Sequence, residues 1–261
     1  MKNKFHQFHI VEIRPWPILA SISVFCITSS LVIWMQIKSP ITIILSNVTT
    51  LIVAYIWWRD ITREAKNQGF HHSKVIIGLK IRIILFITSE IFFFLSFFWA
   101  YFHSRIRPNI ELGQNWPPIS ISPFNPINVP LLNTIILLSS GVSITWSHHA
   151  ILINNLKQAK KSLLITVLLG IYFSIIQAIE YMEAEFTIRD SSYGSIFFIG
   201  TGFHGIHVLI GTSFLIVCFI RMNINEFNKS HLIGFEAAAW YWHFVDIVWI
   251  FLYISIYWWG Y

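Results

Sequence analysis

Residues 75–103 read VIIGLKIRIILFITSEIFFFLSFFWAYFH. Within them, the 20 residues 83–102 hold one acid, Glu90, and no lysine, arginine or histidine. About 20 apolar residues in a helix reach across a hydrocarbon layer roughly 30 Å thick. The phenylalanine run after Glu90 suits lipid or a helix–helix seam better than the core of a soluble domain. The same texture recurs outward from this stretch in both directions. Apolar runs are read at 15–35, 41–58, 75–103, 129–153, 163–182, 193–222 and 234–258. They are continuous, not alternating, so helices are expected and a barrel is not. The fold class is therefore an all-α, polytopic membrane protein with seven transmembrane helices.

The composition agrees. Of 261 residues, 11% are charged and 55% apolar, with a mean hydropathy of +0.62. Soluble domains carry roughly a quarter charged residues. The formal charge of +6 does not indicate a nucleic-acid partner, because the basic residues lie in short connections and form no stripe with interleaved aromatics. Cys26 and Cys218 both fall in apolar runs and read as small buried hydrophobes. The N-terminal stretch has no apolar signal core and no small-residue cleavage pattern, so the chain is expected either to insert without a removable address or to have lost one already. Walker, dinucleotide, haem-attachment and nucleophile-elbow signatures are absent from the sequence.

Seven crossings put the ends on opposite sides. The side with the N-terminus collects 14 of the 18 lysines and arginines; the other side holds Lys38, Arg105, Arg107 and Arg189. By the positive-inside rule the N-terminus faces the matrix or cytoplasm. The longest connection, 104–128, carries Trp116-Pro117-Pro118, Pro123 and Pro126, and reads as a stiff extended loop that packs on something.

Ionisable residues inside the apolar runs are the candidate functional groups. Glu90 lies about 12–15 Å along the helix from Arg82 and Lys80, near mid-membrane. Desolvation there favours the neutral acid, with Thr88, Ser89 or a nearby histidine as partner. Glu90 reads either as a proton-exchanging or regulatory carboxylate or as a structural acid bonded to a neighbouring helix. His204 and His207 are three apart and share a helix face. Interhelical hydrogen bonding, with Glu90 as one partner, is the better reading than ligation, which needs further convergent ligands. In residues 234–246, Glu236, Trp240 and His243 fall within about 60° of one another, and Asp246 is one turn on. A buried polar network that holds helix register is the plain reading, with a proton path as the other. Around the second connection, Trp57-Trp58-Arg59 begins an interfacial segment that continues through Arg63 to His71. Trp58, Arg59, Arg63 and His71, with Arg221, are candidate lipid-headgroup residues; simple interfacial anchoring explains them equally well.

Taken in order, the segments resemble those of the cytochrome c oxidase subunit III family, within the haem-copper oxidases. They are Pro15-Trp16-Pro17, Trp57-Trp58-Arg59-Asp60, Ser89-Glu90 with its phenylalanines, Trp116-Pro117-Pro118 and Pro130-Leu131-Leu132-Asn133-Thr134. They continue with Ser140-Gly141-Val142-Ser143-Ile144-Thr145-Trp146, His148-His149, Thr201-Gly202-Phe203-His204-Gly205-Ile206-His207 and Gly234 through Asp246. The resemblance spans almost the whole chain; Glu12-Ile13-Arg14 and Arg82 depart from the family pattern.

The resemblance implies a multi-pass protein of the mitochondrial inner membrane, with its N-terminus on the matrix side and its C-terminus in the intermembrane space. It implies a division into residues 1–72 (two helices) and 73–261 (a five-helix bundle), separated by a lipid-holding cleft. It implies no catalytic residue and no metal or haem bound by this chain, with haem a and copper held in neighbouring subunits. Expected partners are cytochrome c oxidase subunit I, other oxidase subunits, and anionic and zwitterionic phospholipids. Glu90 would be the family's buried carboxylate, Arg63, His71 and Arg221 would lie near lipid, and His6 and His9 near the mouth of a proton-uptake path. The expected function is a non-catalytic core subunit of the oxidase. The rival is a stand-alone proton-coupled transporter or channel using Glu90 and the histidines of spans six and seven.

Overall fold

The computed structural model describes residues 9, 11–108, 110, 113–227 and 232–261. Seven helices in it are long and apolar enough to cross a membrane, and no strand occurs among the described residues. They are α1 (Trp16–Ile37), α2 (Ile41–Arg63), α3 (Ser73–Ile106), α4 (Val129–Leu152), α5 (Leu156–Glu183), α6 (Ser192–Asn223) and α7 (Ile233–Leu252). One π-helical turn, Glu64–Gln68, extends α2, and another, Tyr253–Trp258, extends α7. The chain divides into two compact units, and the division falls inside α3 between Leu79 and Lys80.

Three helices outrun their apolar stretches. Residues 59–66 were expected in a connection, yet α2 and its π turn continue to Gln68. Asp60 and Glu64 hold this turn from the inside, because both meet Arg14. Helix α5 starts at Leu156, seven residues before the expected start, so Lys157, Lys160 and Lys161 are helical. Asn155 caps it, its side chain accepting from the Gln158 amide at 3.3 Å. Lysine is a good helix former and lifts its amine to the interface on an apolar stem. Helix α3 has 34 residues, about 51 Å of helix, so its ends with Lys74 and Arg105 pass beyond a layer roughly 30 Å thick.

In the first unit, α1 and α2 pack as an antiparallel pair. Ser30 and Ser46 share a hydrogen bond of 2.7 Å at their seam, and Trp16 Nε1–H donates to Asp60 at 2.8 Å. Most of their remaining surface is apolar and outward. Cys26 is exposed on that surface, contrary to the expectation of burial; Cys218 is buried as expected.

In the second unit, α4, α5, α6 and α7 pack α4 on α5, α5 on α6, α6 on α7 and α7 back on α4. Close approach is carried by small residues. Ser143 and Thr166 share a hydrogen bond of 2.7 Å between α4 and α5, and Ser147 donates to the Ala159 carbonyl at 3.0 Å. Trp242 of α7 fills the centre with no exposure. Its Nε1–H donates to Ser140 Oγ at 2.8 Å. Its ring lies where only glycine fits: a Cβ on Gly170 of α5 would come within 2.7 Å of the indole, and one on Gly211 of α6 within 2.9 Å. Within this unit, α3 joins the bundle through long rings. Phe94 meets Phe244, and Phe93 and Phe97 meet Phe203. The proline-rich connection packs back on its own bundle, with Trp116 against Tyr101 and Tyr193, and Phe124 against Phe186 and Phe197.

Candidate functional site

The intramembrane ionisable residues of the second unit sort into separate contacts. Glu90 on α3 lies 3.0 Å from His207 Nε2 on α6. Thr88 and Ser89 do not take part, since each hydroxyl donates to a carbonyl of its own helix. His207 Nδ1 is 2.7 Å from the Phe203 carbonyl. A carbonyl only accepts, so Nδ1 carries a hydrogen there. In a neutral ring Nε2 is then bare, and its contact with Glu90 requires a proton from the carboxyl group. In a charged ring Nε2–H donates to the carboxylate. Either way one proton lies between the two groups, which is what a proton-holding pair needs. Phe93, Phe94, Tyr241 and Phe244 ring the imidazole.

His204, one turn earlier on α6, is buried elsewhere. Its Nε2–H donates to the Val245 carbonyl of α7 at 3.2 Å, and its ring lies against Trp249 and Phe173. It therefore joins α6 to α7 and is not in contact with Glu90. On α7 the expected stripe resolves into two places. Glu236 pairs with Lys80 of α3 at 2.7 Å, at the basic end. His243 lies 3.8 Å from Asp246 and 3.4 Å from Thr145 Oγ1 of α4, beside a cavity of about 630 Å³. Helical spacing put these residues on one face; the identity of the neighbouring helix at each height separated them.

Two buried acids were not singled out from the sequence. Glu180 of α5 is 1% exposed, in the company of Gln177, Asn133 and Tyr257. Gln177 and Glu180 at i, i+3 were the available signal, hidden by the position of Glu180 near the end of the apolar run. Glu64 is 3% exposed in the π turn of the first unit. Its carboxylate is bound by Arg14, which also lies 4.0 Å from Asp60. His9 is 3.8 Å from Glu64, and its ring meets His71 edge-on at 5.5 Å.

The remaining lipid candidates lie at helix ends. Trp58, Arg59 and Arg63 are exposed on the last turns of α2, with Arg59 3.5 Å from Asp60. Arg221, on the last turn of α6, donates to Glu226 at 3.0 Å and lies over the Phe227 ring. His6 is outside the described residues.

A profile of the family described as cytochrome c oxidase subunit III matches residues 6–261. Among similar proteins, cytochrome c oxidase subunit 3 of Aedes aegypti is 58% identical over 255 residues, covering 98% of this chain and 97% of that protein. The subunit 3 of Drosophila melanogaster is 57% identical over 255 residues with the same coverage. That of Homo sapiens is 54% identical over 260 residues, covering 100% of both chains.

Proposed function

The chain belongs to the cytochrome c oxidase subunit III family and is a multi-pass subunit of that oxidase, and from this premise we propose that it is a non-catalytic core subunit. Other oxidase subunits are its partners, and subunit I is the main one. The redox groups, haem a and copper, belong to those neighbours. The chain resides in the mitochondrial inner membrane with its N-terminus toward the matrix, which the 14 of 18 basic residues on that side support.

The observation that carries the non-catalytic reading is how the α6 histidines are used. His204 gives its Nε2–H to Val245, and His207 engages Phe203 and Glu90 through its two nitrogens. Both rings therefore serve helix-to-helix bonding, which steadies the bundle against a partner. The Glu90–His207 pair is a proton-holding group within that frame. Trp58, Arg59, Arg63 and His71 bind phospholipid headgroups, anionic and zwitterionic, at the basic end of the first unit, and Arg221 does so at the basic end of α6. His9, with His6, supports proton uptake. A stand-alone transporter is not favoured, because the family profile spans 256 of the 261 residues and names an oxidase subunit.

Purification from the native membrane tests the reading. The chain should co-purify with haem-bearing subunits and lack any haem spectrum once stripped from them. Recovery as an isolated protein that moves a solute across liposomes would overturn it.

A further inference from the structure

The first unit brings three metal-ligating side chains together at its basic end. The ligand atoms of His9, Glu64 and His71 all lie within 4.8 Å of one another. His9 comes from the segment before α1. Glu64 is the first residue of the π turn, and Gly69, at φ 68°, ends that turn and reverses the chain so that His71 returns beside Glu64. A π turn widens the helix by one residue, and such turns recur at functional sites. We propose that His9, Glu64 and His71 form a binding site for one divalent transition-metal ion of borderline softness, zinc being the representative case.

Two imidazoles and one carboxylate are a donor set that zinc takes, with water in the fourth position. Bonds of about 2.0–2.2 Å put tetrahedral ligands roughly 3.4 Å apart. Closing the present spread from 4.8 Å requires at most about 1.4 Å of movement. His9, on the segment outside the helices, is the ligand that moves; Glu64 is fixed. The Arg14 guanidinium binds Oε1 of Glu64, while Oε2 is the oxygen nearest His9, so one oxygen is oriented by the other's partner. Asp60 stands 4.0 Å from the same guanidinium and Arg59 is 3.5 Å from Asp60. Two carboxylates are thus matched by two guanidiniums, and the site holds no surplus negative charge. Its affinity must come from imidazole nitrogen, which selects zinc or copper(II) over magnesium or calcium. A metal here takes the same imidazoles as the lipid and proton roles given above to His71 and His9 and so competes with them, and the site can fail without affecting the oxidase assignment.

The test uses the intact oxidase complex, freed of loose metal by a chelator. Diethylpyrocarbonate modifies accessible imidazole, and peptide mass spectrometry reads each histidine separately. With zinc chloride at ten times its dissociation constant, modification of His9 and of His71 should slow about tenfold, with one shared midpoint. Magnesium chloride in large excess should leave both rates unchanged. In His9→Asn, His71 should lose its protection by zinc, and equilibrium dialysis should find one zinc fewer per complex. Unchanged modification rates in zinc overturn the proposal. So do two distinct midpoints, which mean separate adventitious ions only, equal protection by magnesium, and His71 protection that survives in His9→Asn.

Discussion

Replacing Gly211 with alanine puts a methyl group where the indole of Trp242 already is. The new Cβ would lie 2.9 Å from Cε3 and 3.1 Å from Cζ3 of the ring. Three restraints stop the ring from moving aside. Translation toward α5 drives Cη2 into Gly170, where a Cβ would stand at 2.7 Å. Rotation breaks the 2.8 Å bond to Ser140. The residue is fully buried, so the ring cannot swing out to the surface without leaving the bundle. Overpacking of this kind costs about 1–3 kcal/mol. A value near 2 kcal/mol changes the folded-to-unfolded ratio by roughly 30-fold. Trp242→Phe alone should cost about 2 kcal/mol, from the lost interhelical bond and an unfilled gap. The double variant is the decisive one. Phenylalanine removes ring atoms that the new methyl meets, so the double should cost about 1–2 kcal/mol less than the sum of the singles. The assay is loss of the folded subunit from purified oxidase along a detergent or temperature gradient, compared across the three variants. Strict additivity, or a Gly211→Ala midpoint indistinguishable from the parent, would refute the wedge argument.

Glu90→Gln keeps an N–H for His207 Nε2 and should stay within about 0.5 kcal/mol of the parent in the same assay, whereas Glu90→Leu should lose about 0.6–1.7 kcal/mol. Equal losses would mean that the 3.0 Å contact is not a hydrogen bond. Arg14→Ala orphans a nearly buried Glu64 and should destabilise the first unit by about 3 kcal/mol, with at least half recovered by adding Glu64→Gln; heat release with and without the second change measures this. Lys80→Met should cost under about 1 kcal/mol and the difference should shrink in high salt, because Lys80 is 39% exposed where it meets Glu236. Neutralising Arg63 and Arg221 should lower the anionic phospholipid that co-purifies, each charge being worth about 1 kcal/mol near a membrane surface. Lipid mass spectrometry on the purified complex reads the outcome, and unchanged content would remove both from the headgroup set.

Seven helices could be read from apolar run length, since every backbone hydrogen bond of a membrane helix is made within the helix and lipid tolerates nothing else. The same local physics identified Glu90, His204, His207, Glu236, His243 and Asp246 as residues unsuited to lipid. Their partners could not be read that way. Glu90 meets His207 across 117 positions and Trp242 meets Ser140 across 102. Such pairings depend on the rotation and height of one helix against another, which small residues at the seams set and no single run records. Helix ends were also out of reach where capping, inward acids or stemmed lysines carried α2 and α5 past their apolar stretches. Arg14 shows the limit most plainly: in the sequence it is one basic residue before a helix, and only folding brings it onto Glu64 and Asp60, where two acids in a half-dry turn need its charge.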